Sequence, residues 1–260
     1  MLWRHRHLLA QLIRRDVAGR YRGSLLGMLW SFFNPLLSLA VYTFAFGVVF
    51  RAKWSGGRSD SLLEFAVMLF AGLIVFTIFA ECATRAPGVV LAHPGYVKKV
   101  VFPLELLPVM LLGSALFHAA ASLAILAAGI LLAYGGLPWT AVLFPLVIVP
   151  VALLSLALAW VLASLGVFIR DIGQAIGVAV TALLFLSPVF FPLAALPPAL
   201  RPWIELNPLA FPIEQARQVL VMGELPDWRG VLISTTIALS MACAAYWWFQ
   251  RSKRAFADVL

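Results

Sequence analysis

Long runs of apolar residues, most of them long enough to cross a bilayer, alternate along the chain with short clusters of Arg, Lys, Pro and Gly. The runs fall at about Phe33–Phe50, Leu62–Cys82, Leu104–Tyr134, Thr140–Ile169, Ala175–Leu193 and Val231–Phe249. A hydrocarbon core of about 30 Å takes roughly 20 helical residues. Lipid offers no water to unpaired backbone groups, so each run must be a helix or part of a closed barrel. The runs are continuous and do not alternate, which excludes barrel strands. The pattern therefore predicts one all-α integral membrane domain over 1–260, with a bundle of six transmembrane helices in 32–250 and a short tail at 251–260. The third and fourth runs exceed one bilayer thickness and must tilt or project beyond it. Only the turn Gly135-Gly136-Leu137-Pro138 separates them.

Two stretches break this pattern. From Trp3 to Arg20, Leu9, Leu12, Ile13 and Val17 share one helical face, while Arg4, His7, Gln11, Arg14 and Arg15 lie opposite and Asp16 and Arg6 blur the stripe. This predicts an amphipathic interface helix in the headgroup plane, part of a cytoplasmic collar over 1–31. From Ser187 to Gly230, Pro188, Pro192, Pro197, Pro198, Pro202, Pro208 and Pro212 interrupt runs that remain apolar. Such a segment neither spans nor leaves the membrane cleanly, which predicts short re-entrant helices between spans five and six.

Composition agrees: 63% hydrophobic and 12% charged residues leave too little polar surface to solvate a globule. Lys and Arg set the orientation. With the N-terminus inside, thirteen of them lie on the cytoplasmic side and six outside, which predicts both termini in the cytoplasm. The net charge of +8 then reflects attraction to anionic lipid headgroups, with nucleic acid a poor second reading. Cys82 and Cys243 fall within or at the ends of spans without CxxC spacing and read as packing residues. No short apolar region with a small-residue cleavage site follows the basic opening, so the N-terminus is expected to stay on the mature chain.

The segments RYRGSLLGMLWSFFNPLL from Arg20, VKKVVFPLELLPV at Val97–Val109, FIRDI at Phe168–Ile172, SPVFFP at Ser187–Pro192 and the later Asn207-Pro208 with Arg217 occur in that order. On these segments the chain resembles the membrane subunit of ABC-2 type polysaccharide exporters, which move lipid-linked O-antigen, capsule or teichoic acid chains. The resemblance covers nearly the whole length. It implies a homodimer of six-span subunits in a bacterial inner membrane, bound on the cytoplasmic face to two copies of a separate nucleotide-binding subunit. That subunit would hold ATP and Mg, with no cofactor or metal in this chain. The residues agree, since no G-x-x-x-x-G-K-[ST] phosphate loop is present. Six helices also close only a narrow bundle, whereas two copies could frame a path for a hydrated polymer.

Within this resemblance, Arg85–Phe102 is expected to carry the coupling helix. Pro94 and Gly95 break the chain there, and Tyr96, Lys98, Lys99 and Phe102 offer aromatic, basic and apolar contacts to an ATPase. The competing reading is that the lysines merely obey the positive-inside bias. Arg20 and Arg22 beside Gly23 either meet a carrier-lipid phosphate, which guanidinium groups bind bidentately, or anchor the helix end to ordinary headgroups. Trp30, Phe33, Tyr42 and Phe185 are candidate channel-lining aromatics for sugar C–H faces, against lipid-facing or bundle-packing roles. Pro188, Asn207, Pro208 and Arg217 are expected at an outer gate, against a cap that only covers the bundle. Glu64, Glu81, Glu105 and Asp171 near span ends read as structural.

The favoured function is a non-enzymatic transport subunit that moves a lipid-linked polysaccharide outward, with O-antigen preferred over capsule or teichoic acid. A small-drug or lipid exporter is the alternative. A membrane-embedded transferase comes last, because His5, His7, His93 and His118 form no convergent acid, base or metal set.

Overall fold

The computed structural model describes residues 5–51, 54, 61–98 and 102–256, and among them the secondary structure is helical throughout. Among the described residues five helices are long and apolar enough to cross a membrane: Gly27–Val49, which contains α2 (Trp30–Tyr42), Leu62–Val89, Leu106–Tyr134, Trp139–Phe168, which contains α6 (Phe144–Val147), and Trp228–Ala255, with α8 (Ile172–Phe185) the shorter apolar helix between the last two. The fifth expected span is shorter. There the helix runs Ile172–Phe185, 14 residues or about 21 Å at 1.5 Å per residue, and stops before Ser187-Pro188. The Ser187 hydroxyl donates to the Leu183 carbonyl at 2.6 Å, and Pro188 has no N–H with which to continue the ladder.

The centre of the bundle is α3 (Leu62–Val89), whose most apolar stretch is 83% buried, against 0% for the Gly27–Val49 span. Its start is written locally: Ser61 is extended and its side chain accepts from the Glu64 N–H at 3.1 Å, the first half of a capping box. Helices α5 (Leu106–Tyr134) and α7 (Val149–Phe168) pack on α3, and α11 (Trp228–Ser252) covers α7. Apolar helices gain little from leaving lipid for one another, so close van der Waals packing has to hold them. Ala83 and Ala86 on α3 and Ala159 and Ala163 on α7 are fully buried and permit it. The closest approach is at Gly166, where a Cβ would stand 2.0 Å from the Pro87 carbonyl oxygen.

Helix α5 ends at Gly135 with φ +74°, whose N–H returns to the Leu131 carbonyl at 3.0 Å, so the predicted tight turn is present. The amphipathic helix α1 is Arg6–Arg20. Its apolar face differs from expectation in one respect: Leu12 and Val17 are buried on the bundle, chiefly against α5, and are not left to lipid. The first and last described helices are each tied to the same end of the bundle. Lys253 reaches Glu105 at the start of α5 at 3.2 Å, and Asp16 of α1 pairs with Arg85 near the end of α3. The short helices α9 (Arg201–Glu205) and α10 (Ala210–Arg217) follow the proline-rich segment, and α10 widens into a last turn that ends at Gly223.

Candidate functional site

Two polar centres interrupt the apolar bundle, the first half-buried and the second fully buried. The first joins α1, α3 and α5. Arg85 on α3 bridges two carboxylates, Asp16 at 2.6 Å and Glu81 at 3.2 Å. Glu81 also takes a short contact from Arg20 and lies 2.9 Å from His118 Nδ1 on α5. With Nδ1 donating to Glu81, His118 Nε2 accepts from the Tyr21 hydroxyl at 3.1 Å. Ser114 donates to Asp16 at 2.6 Å. Burial alone would favour the neutral form of Asp16, but hydrogen bonds from Arg85 and Ser114 and the nearby Arg85 charge outweigh it and hold the carboxyl below its ordinary value. Burial pushes the Tyr21 phenol up. Asp16, one of the two residues that blur the α1 stripe, thus fastens α1 to the spans.

The second centre surrounds Arg217, the largest fully buried side chain among the described residues. Its guanidinium donates to the Met68 carbonyl on α3 at 3.0 Å, to the Val189 carbonyl at 2.8 Å and to Glu214 at 2.8 Å, and it lies 4.2 Å from the centre of the Trp54 ring. Gly72 makes room for it: a Cβ there would be 2.6 Å from Arg217 Nη2. Asn207 closes the same knot. Its amide donates to the Ser187 hydroxyl at 2.8 Å, and its oxygen accepts from the Leu209 N–H at 3.0 Å. Pro208 lines an apolar groove with Phe79 of α3 and Met241 of α11. Residues far apart in sequence, Ser187, Val189, Asn207 and Arg217, are therefore tied to one another and to the central helix.

Of the expected coupling residues, Pro94, Gly95, Tyr96 and Lys98 belong to the short helix α4 (Pro94–Lys98), and Lys99 lies outside the described residues. Tyr96 is stacked on Phe102 at 4.3 Å and on His93 at 5.4 Å, and its hydroxyl accepts from Arg15 of α1 at 3.4 Å. Arg20 is engaged by Glu81, whereas Arg22 and Gly23 sit in an exposed loop where Gly23 has φ +85°. The structure does not gather the four aromatics into one surface. Trp30 lines a cavity against α3 and α5, and Phe33 is exposed on the outside of its helix. Tyr42 and Phe185 both flank the buried Phe190, at 5.1 and 5.5 Å.

Sequence reasoning missed Asp16, Glu81, Arg85, Ser114 and His118 as one cluster. The available signal was the cost of ionisable groups inside apolar helices, which makes a partner obligatory; nothing in the spacing says which helix supplies it.

A family model described as ABC-2 type transporter matches residues 7–221. The chain is 29% identical over 260 residues to the O-antigen export system permease protein RfbA of Myxococcus xanthus, covering 99% of this chain and 96% of that protein. It is 25% identical over 263 residues to a protein of the same name from Klebsiella pneumoniae, covering 97% and 95%.

Proposed function

The chain belongs to the ABC-2 type transporter family, and from that premise we propose that it is the permease subunit of an ABC exporter that carries lipid-linked O-antigen outward across a bacterial inner membrane. The observation that carries this reading is the end-to-end similarity to two O-antigen export permeases, without large unmatched segments on either side. In this reading two copies assemble with two copies of an ATPase subunit, which binds ATP and Mg, and both chain termini face the cytoplasm. The short apolar helix Ile172–Phe185 serves as a sixth crossing completed by the turns after it.

The cytoplasmic segment around α4 is the docking point for the ATPase. Tyr96, held between His93 and Phe102 and tied to Arg15, offers a rigid aromatic contact, and Lys98 and Lys99 supply the charge. A push on α4 reaches α1 through Tyr96, and α1 reaches α3 through Asp16 and Arg85. At the other end, Pro188, Asn207, Pro208 and Arg217 form a re-entrant outer gate whose resting position the Arg217 bonds define. Tyr42 and Phe185 stand beside it as aromatic surface for the glycan. Arg22 and Gly23 offer the carrier phosphate an exposed guanidinium, because Arg20 is neutralised by Glu81.

Deleting the gene should remove long-chain polysaccharide from the cell surface and accumulate lipid-linked polymer inside, restored by the intact chain only with its ATPase partner. Unchanged surface polysaccharide, or purified chain that hydrolyses ATP alone, would refute the reading.

A further inference from the structure

Between the end of α1, the first span and helices α3 and α5 lies a cavity of about 190 Å³. Its wall is polar for a cleft on the flank of an apolar bundle. The first span contributes Trp30, Asn34 and Ser38, α3 contributes Thr77 and Glu81, and α5 contributes His118. Spacings of four residues on the first span and on α3 put each set on one helical face. Arg20, Asn34 and Ser38 are exposed in the protomer, so the cavity opens to the surface of the bundle, and its polar groups take their hydrogen bonds from water or from a ligand.

Electrostatics and size choose the ligand. The guanidiniums of Arg20 and Arg85 are matched by the carboxylates of Glu81 and Asp16, so no surplus positive charge is left to hold a phosphate. What the wall offers is an indole face, an amide, hydroxyls and a carboxylate edge. The Thr77 hydroxyl already donates to the Ile74 carbonyl at 2.9 Å and keeps its lone pairs for an incoming O–H. Asn34 and Ser38 have no hydrogen-bond partner among the described residues. Apolar C–H faces edged by hydroxyls are the surface of a sugar ring, and an aromatic side chain with a polar surround complements it. The volume lies below the roughly 300 Å³ at which drug-sized sites begin, which limits the occupant to one ring.

We infer that this cavity binds a single monosaccharide unit of the exported glycan within one protomer, an inference that rests on the polysaccharide reading above. The occupant would touch Arg20 and Tyr21 at the end of α1, the helix whose Arg15 meets Tyr96 of α4. Sugar in the cavity is thereby connected to the ATPase docking segment.

The test uses the permease–ATPase complex in nanodiscs and saturation-transfer NMR. The probes are methyl α-D-mannoside, methyl β-D-galactoside, methyl α-L-rhamnoside and the methyl glycoside of N-acetylglucosamine, with inorganic pyrophosphate as competitor. At least one glycoside should bind saturably, Asn34→Leu and Ser38→Leu should each weaken it about fivefold, the worth of one lost hydrogen bond, and pyrophosphate should leave it unchanged. Both positions are exposed in the protomer, so the variant complexes should be recovered in normal amount. Absence of saturable binding for every probe, binding unchanged in both variants, or displacement by pyrophosphate overturns the assignment. In cells, a deletion that abolishes surface polysaccharide while both variants export at the normal rate overturns the cavity assignment alone. A deletion without effect on surface polysaccharide overturns the exporter reading and the cavity with it.

Discussion

Replacing Arg217 by Met tests whether the buried guanidinium holds the proline-rich segment against the central helix. Met keeps much of the volume but removes every donor. Three acceptors then lose a donor at once: the Val189 carbonyl, the Glu214 carboxylate, whose side chain is only 21% exposed, and the Met68 carbonyl, which lies within α3 and keeps its place in the helical ladder. Breaking a buried ion pair from one side costs about 3–5 kcal/mol, because the remaining charge is left uncompensated. The buried Val189 carbonyl, left without its donor, adds on the order of 1 kcal/mol, though contributions within one network do not sum fully. A loss near 4–6 kcal/mol corresponds to a fall in melting temperature of roughly 10–20 °C for a chain of this size. Cys82 is fully buried and Cys243 exposed, so a thiol-reactive fluorogenic maleimide on a Cys243→Ser background reports unfolding at Cys82 alone. The double variant Arg217→Met with Glu214→Gln should recover about 2 kcal/mol or more of the single-variant loss, since no charge then stays unpaired. A melting point within about 2 °C of the parent for Arg217→Met, or strictly additive effects in the double variant, would refute the argument.

Three further outcomes are expected. The carboxyl of Asp16 is held below its ordinary value of 3.8, so its link to Arg85 stabilises the docked α1 fully above that pH and is lost as pH falls through the lower folded value. Amide exchange across Arg6–Arg20 should be slow and constant from neutral pH down to mildly acidic conditions once corrected for intrinsic rates, and Asp16→Ala should already be fast at neutral pH. Gly166→Leu places a side chain against the Pro87 carbonyl where even a Cβ would lie at 2.0 Å, so α7 must move off α3. A loss of roughly 1–3 kcal/mol or more is expected in the same Cys82 melting assay. Charge reversal by Lys98→Glu together with Lys99→Glu should leave insertion intact while sharply reducing co-purification of the ATPase, and normal co-purification with normal export would count against docking at α4.

The fold class was legible because membrane crossing is a one-dimensional demand. Length and continuity of apolar residues decide it, so the runs around 104–134 and 140–169 reappear as helices within two residues of those bounds, and those around 62–82 and 231–249 as longer helices, 62–89 and 228–255. The Gly135 turn was equally local, a matter of one residue's backbone freedom. The end of the Ile172–Phe185 helix was harder, because the apolar run continues to Leu193 and only the Ser187-Pro188 pair stops it. Residues 187 and 207 were singled out separately by their prolines, and folding joins them through a hydrogen bond. Which helix would answer each charge was beyond the sequence. Glu81 and His118 are 37 residues apart and Arg217 and Met68 are 149 apart, and an ionisable side chain in hydrocarbon states only that it needs a partner. Hydropathy thus determined that the chain crosses a membrane and roughly where, whereas helix-on-helix packing decided which polar groups meet, since periodicity records the face of a helix and not its neighbour.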